Sequence, residues 1–392
     1  MAHYPYLIIG GGMTGAAAAK GIRDYDAGGP IALVSADHEP PYDRPPLSKK
    51  LWDGKKRLDE IYVALPDGVD LRLSRRILEL DADARRATDD AGAVYTYDNL
   101  LLATGGTPRR LPYGGDWVNY YRTLDDYHAL RADAAAGARF VVIGGGFIGS
   151  EVAAALRKQG NEVTIVFPDK GLSDRVFPSH LAAHLNEYYR DKGVTVLTGE
   201  KVVGIEEGQE EAVVLTGSGG RLPADRVVAG IGITPNVDLA QAIGLPVDNG
   251  ITVDAYLRAA RPEIYSAGDA ANYPDAVLGE RRRVEHADAA RAMGRAAGRN
   301  MAGANEPYTY LPMFYSDLFD YGYEAVGQVD ARLEIVEDWQ ERYDKGVLYY
   351  LRDGRVRGVL TWNIWDKLDE ARALIEAGDR HAPEALVGRI RE

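Results

Sequence analysis

The sequence predicts an α/β protein in which two βαβ units of the glycine-loop type precede a smaller C-terminal α+β domain. Three observations carry that prediction: a glycine triplet that occurs twice, an acidic residue set at a similar distance behind each copy, and a change of composition after residue 312. LIIGGGMTGAAAAKGIR, from Leu7, and VVIGGGFIGSEVAAALR, from Val141, align without a gap. Each copy passes from an apolar, strand-like stretch through three glycines into an alanine-rich segment of helical composition, which is the order a βαβ unit requires.

A single GxGxxG is a weak signal, because any tight strand-to-helix turn uses glycines, whereas two copies with acidic followers are strong. Gly10 and Gly144 permit the tight turn, Gly12 and Gly146 let a pyrophosphate approach the backbone, and Gly15 and Gly149 let helix pack closely on strand. The phosphates then meet the unpaired N–H groups and the dipole of a helix N-terminus. In the first unit the strand IALVSAD ends at Asp37; in the second, VTIVF leads to Pro168 and Asp169. A carboxylate at that distance accepts hydrogen bonds from an adenosine ribose and repels a 2′-phosphate, so Asp169 favours NADH over NADPH. Arg175 opposes it, since an arginine there is able to hold the phosphate.

Beyond residue 312 the character changes. MFYSDLFDYGYEAVGQVD, LEIVEDW and VLYYLRDGRVRGVLTWNI are strand-like, with turn signals such as Arg352-Asp353-Gly354 between them, and DKLDEARALIEAG reads as an amphipathic helix ending at Gly378.

Composition narrows the function. The chain has 392 residues, 46% apolar and 27% charged, and a net charge of −13, which disfavours non-specific nucleic-acid binding. It contains no cysteine, and this removes disulfides, thiolate metal sites, dithiol relays and cysteine nucleophiles together. His180 and His184 have i, i+4 spacing but no third ligand in view, so they are assigned to a solvated helix face and no metal site is expected. The 24 tyrosines are read as packing. No apolar run approaches the roughly 18 residues needed to span a bilayer, and the opening MAHYPYLIIGGG leaves no room for a signal segment, so the expectation is a cytoplasmic protein without membrane insertion.

The motifs GGGMTG, PPYDRPPLSK, LLATGG, GGGFIGSE, AGIGITPN, IYSAGDAA and RRRVEHADAA, in this order over residues 6 to about 330, resemble the flavin reductases of the pyridine nucleotide-disulfide oxidoreductase superfamily. FPDKG followed by Arg175, RRRVEH and FYSDLFDYGYEAVGQVD are most similar to the apoptosis-inducing-factor type, and RPPLSK is shared with reductases of Rieske-type and 2Fe–2S ferredoxins. The resemblance implies two Rossmann-like domains, the first binding FAD and the second NAD(H). The FAD domain, 1–111 and 237–312, is interrupted by the NAD(H) domain, 112–236, and residues 313–392 form the C-terminal domain.

The same resemblance distributes the site residues. It places Lys49 at the flavin edge near N5, paired with Glu151, and puts Glu285 and His286 next to the isoalloxazine, making Lys49, Glu151 and His286 the candidate catalytic residues. Arg44, of the same motif as Lys49, joins the cofactor contacts. Asp269 is expected on the ribityl chain, Thr104 and Gly105 at the turn where the chain leaves the first half of the FAD domain, and Gly232 beside the nicotinamide. Phe147 and Tyr315 are expected to flank the nicotinamide, with Tyr315 where relatives often carry tryptophan. Glu151 is also expected on the first turn of its helix, where the dipole favours a carboxylate.

The implied activity is that of an FAD-dependent NADH oxidoreductase passing electrons directly from reduced flavin to an external one-electron acceptor, either a ferredoxin-type iron–sulfur protein or a quinone. The alternative is a redox-responsive binding protein of the apoptosis-inducing-factor kind, forming a persistent flavin–NAD charge-transfer complex. The chain has no room for the long regulatory insertion of the animal protein, and this favours the enzyme. A homodimer is a further expectation. An acidic ferredoxin is expected to dock on Lys50, Lys55, Lys56, Arg57 and Arg281 to Arg283, because the net charge of −13 otherwise repels it.

Overall fold

The computed structural model describes residues 2–391, and the chain divides into two compact units. The expected α/β architecture is observed in both.

The first unit comprises Met1–Asp43, Leu58–Thr107 and Thr234–Met313. Its sheet runs in the order Val69–Arg72, Ile31–Val34, Ala2–Ile9, Val94–Leu102, Arg86–Asp89 and Ile77–Asp81, with Ile264–Ser266 added in parallel to Val94–Leu102. Ala2–Ile9 pairs in parallel with Ile31–Val34 on one side and Val94–Leu102 on the other. Tyr6 and Ile8 enter one core cluster while Leu7 and Ile9 enter another on the alternate pleat positions, and burial on both faces explains why this strand reads as an unbroken apolar run. Helices Met13–Arg23 and Ala287–Met301 pack backbone to backbone. A Cβ at Gly21 would lie 2.1 Å from the carbonyl oxygen of Arg295, one at Gly294 2.3 Å from that of Thr14, and one at Gly298 2.1 Å from that of Ala18. These glycines fix the helix that follows the first glycine loop.

The second unit comprises Arg44–Arg57, Pro108–Ile233 and Phe314–Glu392. Its parallel sheet has the order Thr195–Thr198, Val163–Phe167, Phe140–Ile143, Arg226–Ala229, Val118–Asn119. A second, antiparallel sheet is ordered Met313–Leu318, Tyr321–Gly327, Arg355–Trp362, Lys345–Arg352, Glu334–Glu341, and helix Leu368–Ala377 follows it. The expected turn at Arg352-Asp353-Gly354 closes a hairpin, with φ of 52° at Asp353 and 72° at Gly354, and the helix ends on a left-handed Gly378.

Segment Arg44–Arg57 packs with this second unit, although it lies among the residues of the first in the chain. Trp52 is its anchor: the indole N–H donates to Leu47 O at 2.6 Å, the ring meets Tyr127 edge-on, and the Arg131 guanidinium lies 5.1 Å from its centroid. The Tyr121 hydroxyl also donates to Leu47 O.

The expected solvated face for His180 and His184 is corrected. Helix Ser179–Asp191 turns both toward the C-terminal sheet, where His180 lies 2.7 Å from Glu337 and His184 stacks on Tyr343 with centroids 4.4 Å apart. Burial pushes the His184 imidazole below its ordinary value. Both rings lie against Tyr343, with centroids 5.7 Å from His180 and 4.4 Å from His184, so the i, i+4 spacing serves packing on one phenol ring. Many of the tyrosines pack, Tyr97, Tyr189, Tyr273, Tyr323, Tyr349 and Tyr350 being fully buried, whereas Tyr25, Tyr62 and Tyr310 are exposed.

Candidate functional site

In the first unit the loop after strand Ala2–Ile9 carries Gly10, Gly12 and Gly15. Gly10, with φ of 122°, closes the turn, and a Cβ there would lie 2.1 Å from Ala103 O; a Cβ on Gly15 would lie 2.1 Å from Gly10 O. Gly12 differs in kind. Nothing lies within 4 Å of where its side chain would point, and it opens helix Met13–Arg23 without a side-chain cap. Space beside uncapped helix N–H groups is what a pyrophosphate requires, so these residues fit the implied cofactor. Gly11 was not singled out by the motif reasoning, yet its Cβ would collide with Ser35 at 2.4 Å, so the middle glycine seats the loop against the neighbouring strand end.

Asp37 follows that strand in a bend, accepting the Glu39 N–H at 3.1 Å and facing the Tyr42 hydroxyl at 3.4 Å. Asp269 is set against the glycine loop through its neighbour: a Cβ on Gly268 would meet Thr14 Oγ1 at 2.2 Å. Thr104 and Gly105 form the expected turn, with the Thr104 hydroxyl donating to Asn236 O at 2.6 Å and Asn236 N–H donating to Gly105 O at 2.9 Å.

Glu285 and Asp269 are joined by Arg283, whose guanidinium pairs with Glu285 at 2.6 Å and donates to Asp269 O at 3.1 Å. Arg283 was expected among docking cations, and this is corrected: its side chain is 8% exposed and that of Arg282, paired with Asp275 at 3.0 Å, is 17% exposed. Arg281 donates to the carbonyls of Val253 and Asn272. Arg282 and Arg283 are held inward by the carboxylates and carbonyl that face them, while Arg281 stays exposed. His286 precedes helix Ala287–Met301, and burial, reinforced by the Arg282 charge against the pull of Asp269, lowers its imidazole to about 4. It is neutral at neutral pH.

The second unit repeats the loop. Gly146 caps helix Phe147–Lys158 with φ −84° and ψ −168°, against −83° and −167° at Gly12, and it too has nothing within 4 Å of its Cβ position. A Cβ would lie 2.4 Å from Gly230 O at Gly144 and 1.8 Å from Gly144 O at Gly149. Asp169 follows strand Val163–Phe167 as expected. A second carboxylate, Asp174, stands beside it; its carboxyl is pushed up by burial first and by the Asp169 charge second, and it accepts the Lys170 N–H at 3.2 Å. Arg175 is exposed. Gly232 is left-handed, with φ of 91°, and has open space save for the Arg109 side chain at 3.9 Å.

The electrostatic centre of this unit is a buried cluster around Glu151. Lys49 Nζ lies 2.7 Å from Glu151 Oε2, with the two side chains 8% and 2% exposed. Ser48 donates to Oε2 at 2.5 Å and Ser316 to Oε1 at 2.6 Å. Lys49 Nζ also lies 5.2 Å from the Tyr315 ring centroid. Arg44 opens the short 3-10 turn Pro45–Ser48 that delivers Ser48 and Lys49. Glu151 sits beyond the first turn of its helix, which holds no acid, so the expected dipole contribution gives way to three direct donors. Phe147 packs on Phe314, centroids 5.4 Å apart, while Tyr315 faces Lys49. Neighbouring residues of strand Met313–Leu318 thus serve different partners, Phe314 meeting Phe147 and Tyr315 meeting Lys49. Ser48, Ser316 and Phe314 lie inside the quoted motifs, yet the resemblance gave none of them a role.

The chain matches the family model described as pyridine nucleotide-disulphide oxidoreductase over residues 4–294, and that of the apoptosis-inducing factor, mitochondrion-associated, C-terminal region over residues 297–341 and 336–377. It is 35% identical to the anthranilate 1,2-dioxygenase system ferredoxin–NAD(+) reductase component of Burkholderia cepacia, over 97% of this chain and 96% of that protein. It is also 35% identical to the mitochondrial apoptosis-inducing factor 1 of Dictyostelium discoideum, over 95% of this chain and 78% of that protein. Putidaredoxin reductase, in its covalent complex with putidaredoxin, has the same fold with a TM-score of 0.91 at 31% identity, covering 98% of this chain and 95% of that one. Two glycine cradles, a cysteine-free Lys49–Glu151 cluster and these relatives converge: the chain belongs to the pyridine nucleotide-disulphide oxidoreductase family, with FAD and NAD(H) as its cofactors.

Proposed function

We propose that this protein is an NADH-dependent FAD oxidoreductase that delivers electrons to a small iron–sulfur protein of the ferredoxin type. The observation that carries the reading is the buried Lys49–Glu151 pair in a chain with no cysteine. Bound FAD supplies hydride acceptance and single-electron donation. The chain's own part is to bind, orient and bias. Gly10, Gly12, Gly15, Asp37, Arg44, Thr104, Gly105, Asp269, Glu285 and His286 are assigned to FAD, and Gly144, Gly146, Phe147, Gly149, Asp169, Arg175, Gly232 and Tyr315 to NAD(H). Lys49 is assigned to the flavin edge, where an ammonium favours the reduced, anionic ring; Glu151 orients it. The neutral His286 adds no charge of its own near the ring.

The three-domain division at 1–111 with 237–312, 112–236 and 313–392 belongs to the same proposal, supported by the separate parallel and antiparallel sheets of the later residues. So do a cytoplasmic location, where NADH is at hand, and a quinone or a homodimer as further possibilities for acceptor and assembly. Among the described residues no helix is long and apolar enough to cross a membrane.

The match of residues 297–377 to the apoptosis-inducing-factor C-terminal region favours one second reading, the redox-responsive binder. Anaerobic reduction by NADH followed by rapid mixing separates the two. The reductase is reoxidised quickly by an oxidised 2Fe–2S ferredoxin and slowly by oxygen. Reoxidation no faster than in buffer, with a long-wavelength absorbance persisting in air and an increase in mass by light scattering, reassigns the protein as the binder.

A further inference from the structure

The Glu151 carboxylate is 3% exposed, and a carboxylate withdrawn from water keeps its charge only where donors meet its lone pairs. Here they do so from three separate stretches of chain. Ser48 and Lys49 come from segment Arg44–Arg57 and reach Oε2; Ser316 comes from strand Met313–Leu318 of the C-terminal sheet and reaches Oε1. Both serines are themselves buried, at 5% and 1% exposure. The other titratable groups facing Glu151 are phenols: Tyr121, Tyr189 from helix Ser179–Asp191, and Tyr323 from strand Tyr321–Gly327. Burial first, and the charge on Glu151 in addition, push all three upward, so they stay neutral and supply no cation. Tyr323 is in turn hydrogen-bonded to Ser316.

With water excluded and Lys49 meeting a single oxygen, the two hydroxyls complete the set of donors that fixes the Glu151 carboxylate. We infer that Ser48 and Ser316 are positioning residues of the redox site, holding the Glu151 carboxylate in place and, through it, the Lys49 ammonium. Ser316 thereby makes the C-terminal sheet a working part of the charge cluster and not of the nicotinamide pocket alone. The inference rests on the assignment of Lys49 to the flavin edge.

Removing the Ser316 hydroxyl leaves Oε1 buried without its donor, and the carboxylate turns out of the position in which it holds Lys49. The test is made on the holoenzyme. Infrared difference spectra show the carboxylate stretch of Glu151, identified by its loss in Glu151→Gln, displaced in Ser316→Ala and restored in Ser316→Thr. In parallel, the midpoint potential of bound FAD in Ser316→Ala falls below that of the wild type, because the Lys49 ammonium loses its place at the flavin edge. The shift corresponds to about a tenfold change in the oxidised-to-reduced ratio, about 30 mV for a two-electron couple. If Ser316→Ala loses its cofactor, Ser48→Ala makes the same comparison at the other oxygen. The inference is overturned if neither alanine variant displaces the stretch, or if the shift in potential survives Glu151→Gln. A potential that does not respond to Lys49→Met removes the assignment of Lys49 to the flavin instead, while the infrared result still decides the role of the serines.

Discussion

At the scale of single residues, the pair of Lys49 and Glu151 depends on both partners being present. Removing one partner of a buried ion pair leaves the other charge uncompensated, at a cost of about 3–5 kcal/mol, whereas replacing both by apolar groups is often neutral. Lys49→Met therefore lowers resistance to denaturant markedly, and Lys49→Met/Glu151→Leu recovers part of the loss. A double variant no more stable than the single one contradicts this account. Lys49→Met also retains FAD while slowing its reduction by NADH, as stopped-flow absorbance shows. His286 makes a separate prediction about pH. Its imidazole, at about 4 in the folded chain, lies below its unfolded value of about 6.5. The unfolded chain thus binds a proton first as pH falls, so this group's contribution is present above about 6.5 and is lost progressively toward 4. Melting temperature between pH 7 and pH 5 falls less steeply in His286→Gln than in the wild type; parallel curves would show that the imidazole is not held neutral.

At the scale of elements, the glycine loops separate two roles that one motif merges. Gly149 allows close packing, because a Cβ there would lie 1.8 Å from Gly144 O, while Gly146 faces open space. Gly149→Ala destabilises the fold by about 1–3 kcal/mol, the scale of overpacking. Gly146→Ala leaves the melting temperature of the apoprotein nearly unchanged but weakens NAD⁺ binding in a calorimetric titration. Equal loss of stability in both variants would contradict this division. The turn after strand Val163–Phe167 sets the dinucleotide preference. Asp169, with Asp174 beside it, repels a 2′-phosphate, and NADH is preferred over NADPH by about tenfold or more, the factor that 1.4 kcal/mol represents. Comparable kcat/KM values would show that Arg175 controls the choice.

At the scale of the whole molecule, net charge governs the encounter with a partner. A chain of −13 repels an acidic ferredoxin except where cations are locally exposed. Arg282 and Arg283 are turned into internal ion pairs, which leaves Lys50, Lys55, Arg57 and Arg281 as the exposed members of the expected set, with Lys55 also pairing to Asp53 at 3.1 Å. Turnover with a 2Fe–2S ferredoxin falls as salt rises, since exposed charges are screened beyond about 8 Å at physiological ionic strength. Lys50→Glu/Arg57→Glu weakens the salt dependence and raises KM for the ferredoxin without slowing flavin reduction by NADH. Salt-independent turnover would remove electrostatic docking from the account.

The fold class, both glycine loops and the acids behind them were legible in the sequence, because each is local: a tight turn, a helix start and a strand end lie within a few residues of one another. The hairpin at Asp353-Gly354 and the helix stop at Gly378 were legible for the same reason. Other features were decided by residues far apart in the chain. The inward turn of Arg282 and Arg283, the docking of His180 and His184 on the C-terminal sheet, and the partnership of Phe147 with Phe314 all depend on which strand meets which helix. The Glu151 cluster shows the division most plainly. The motif names Lys49 and Glu151, but Ser316 reaches that carboxylate from 165 residues away. No periodicity marks a serine for such a role, since its value comes only from a buried charge that needs one more donor.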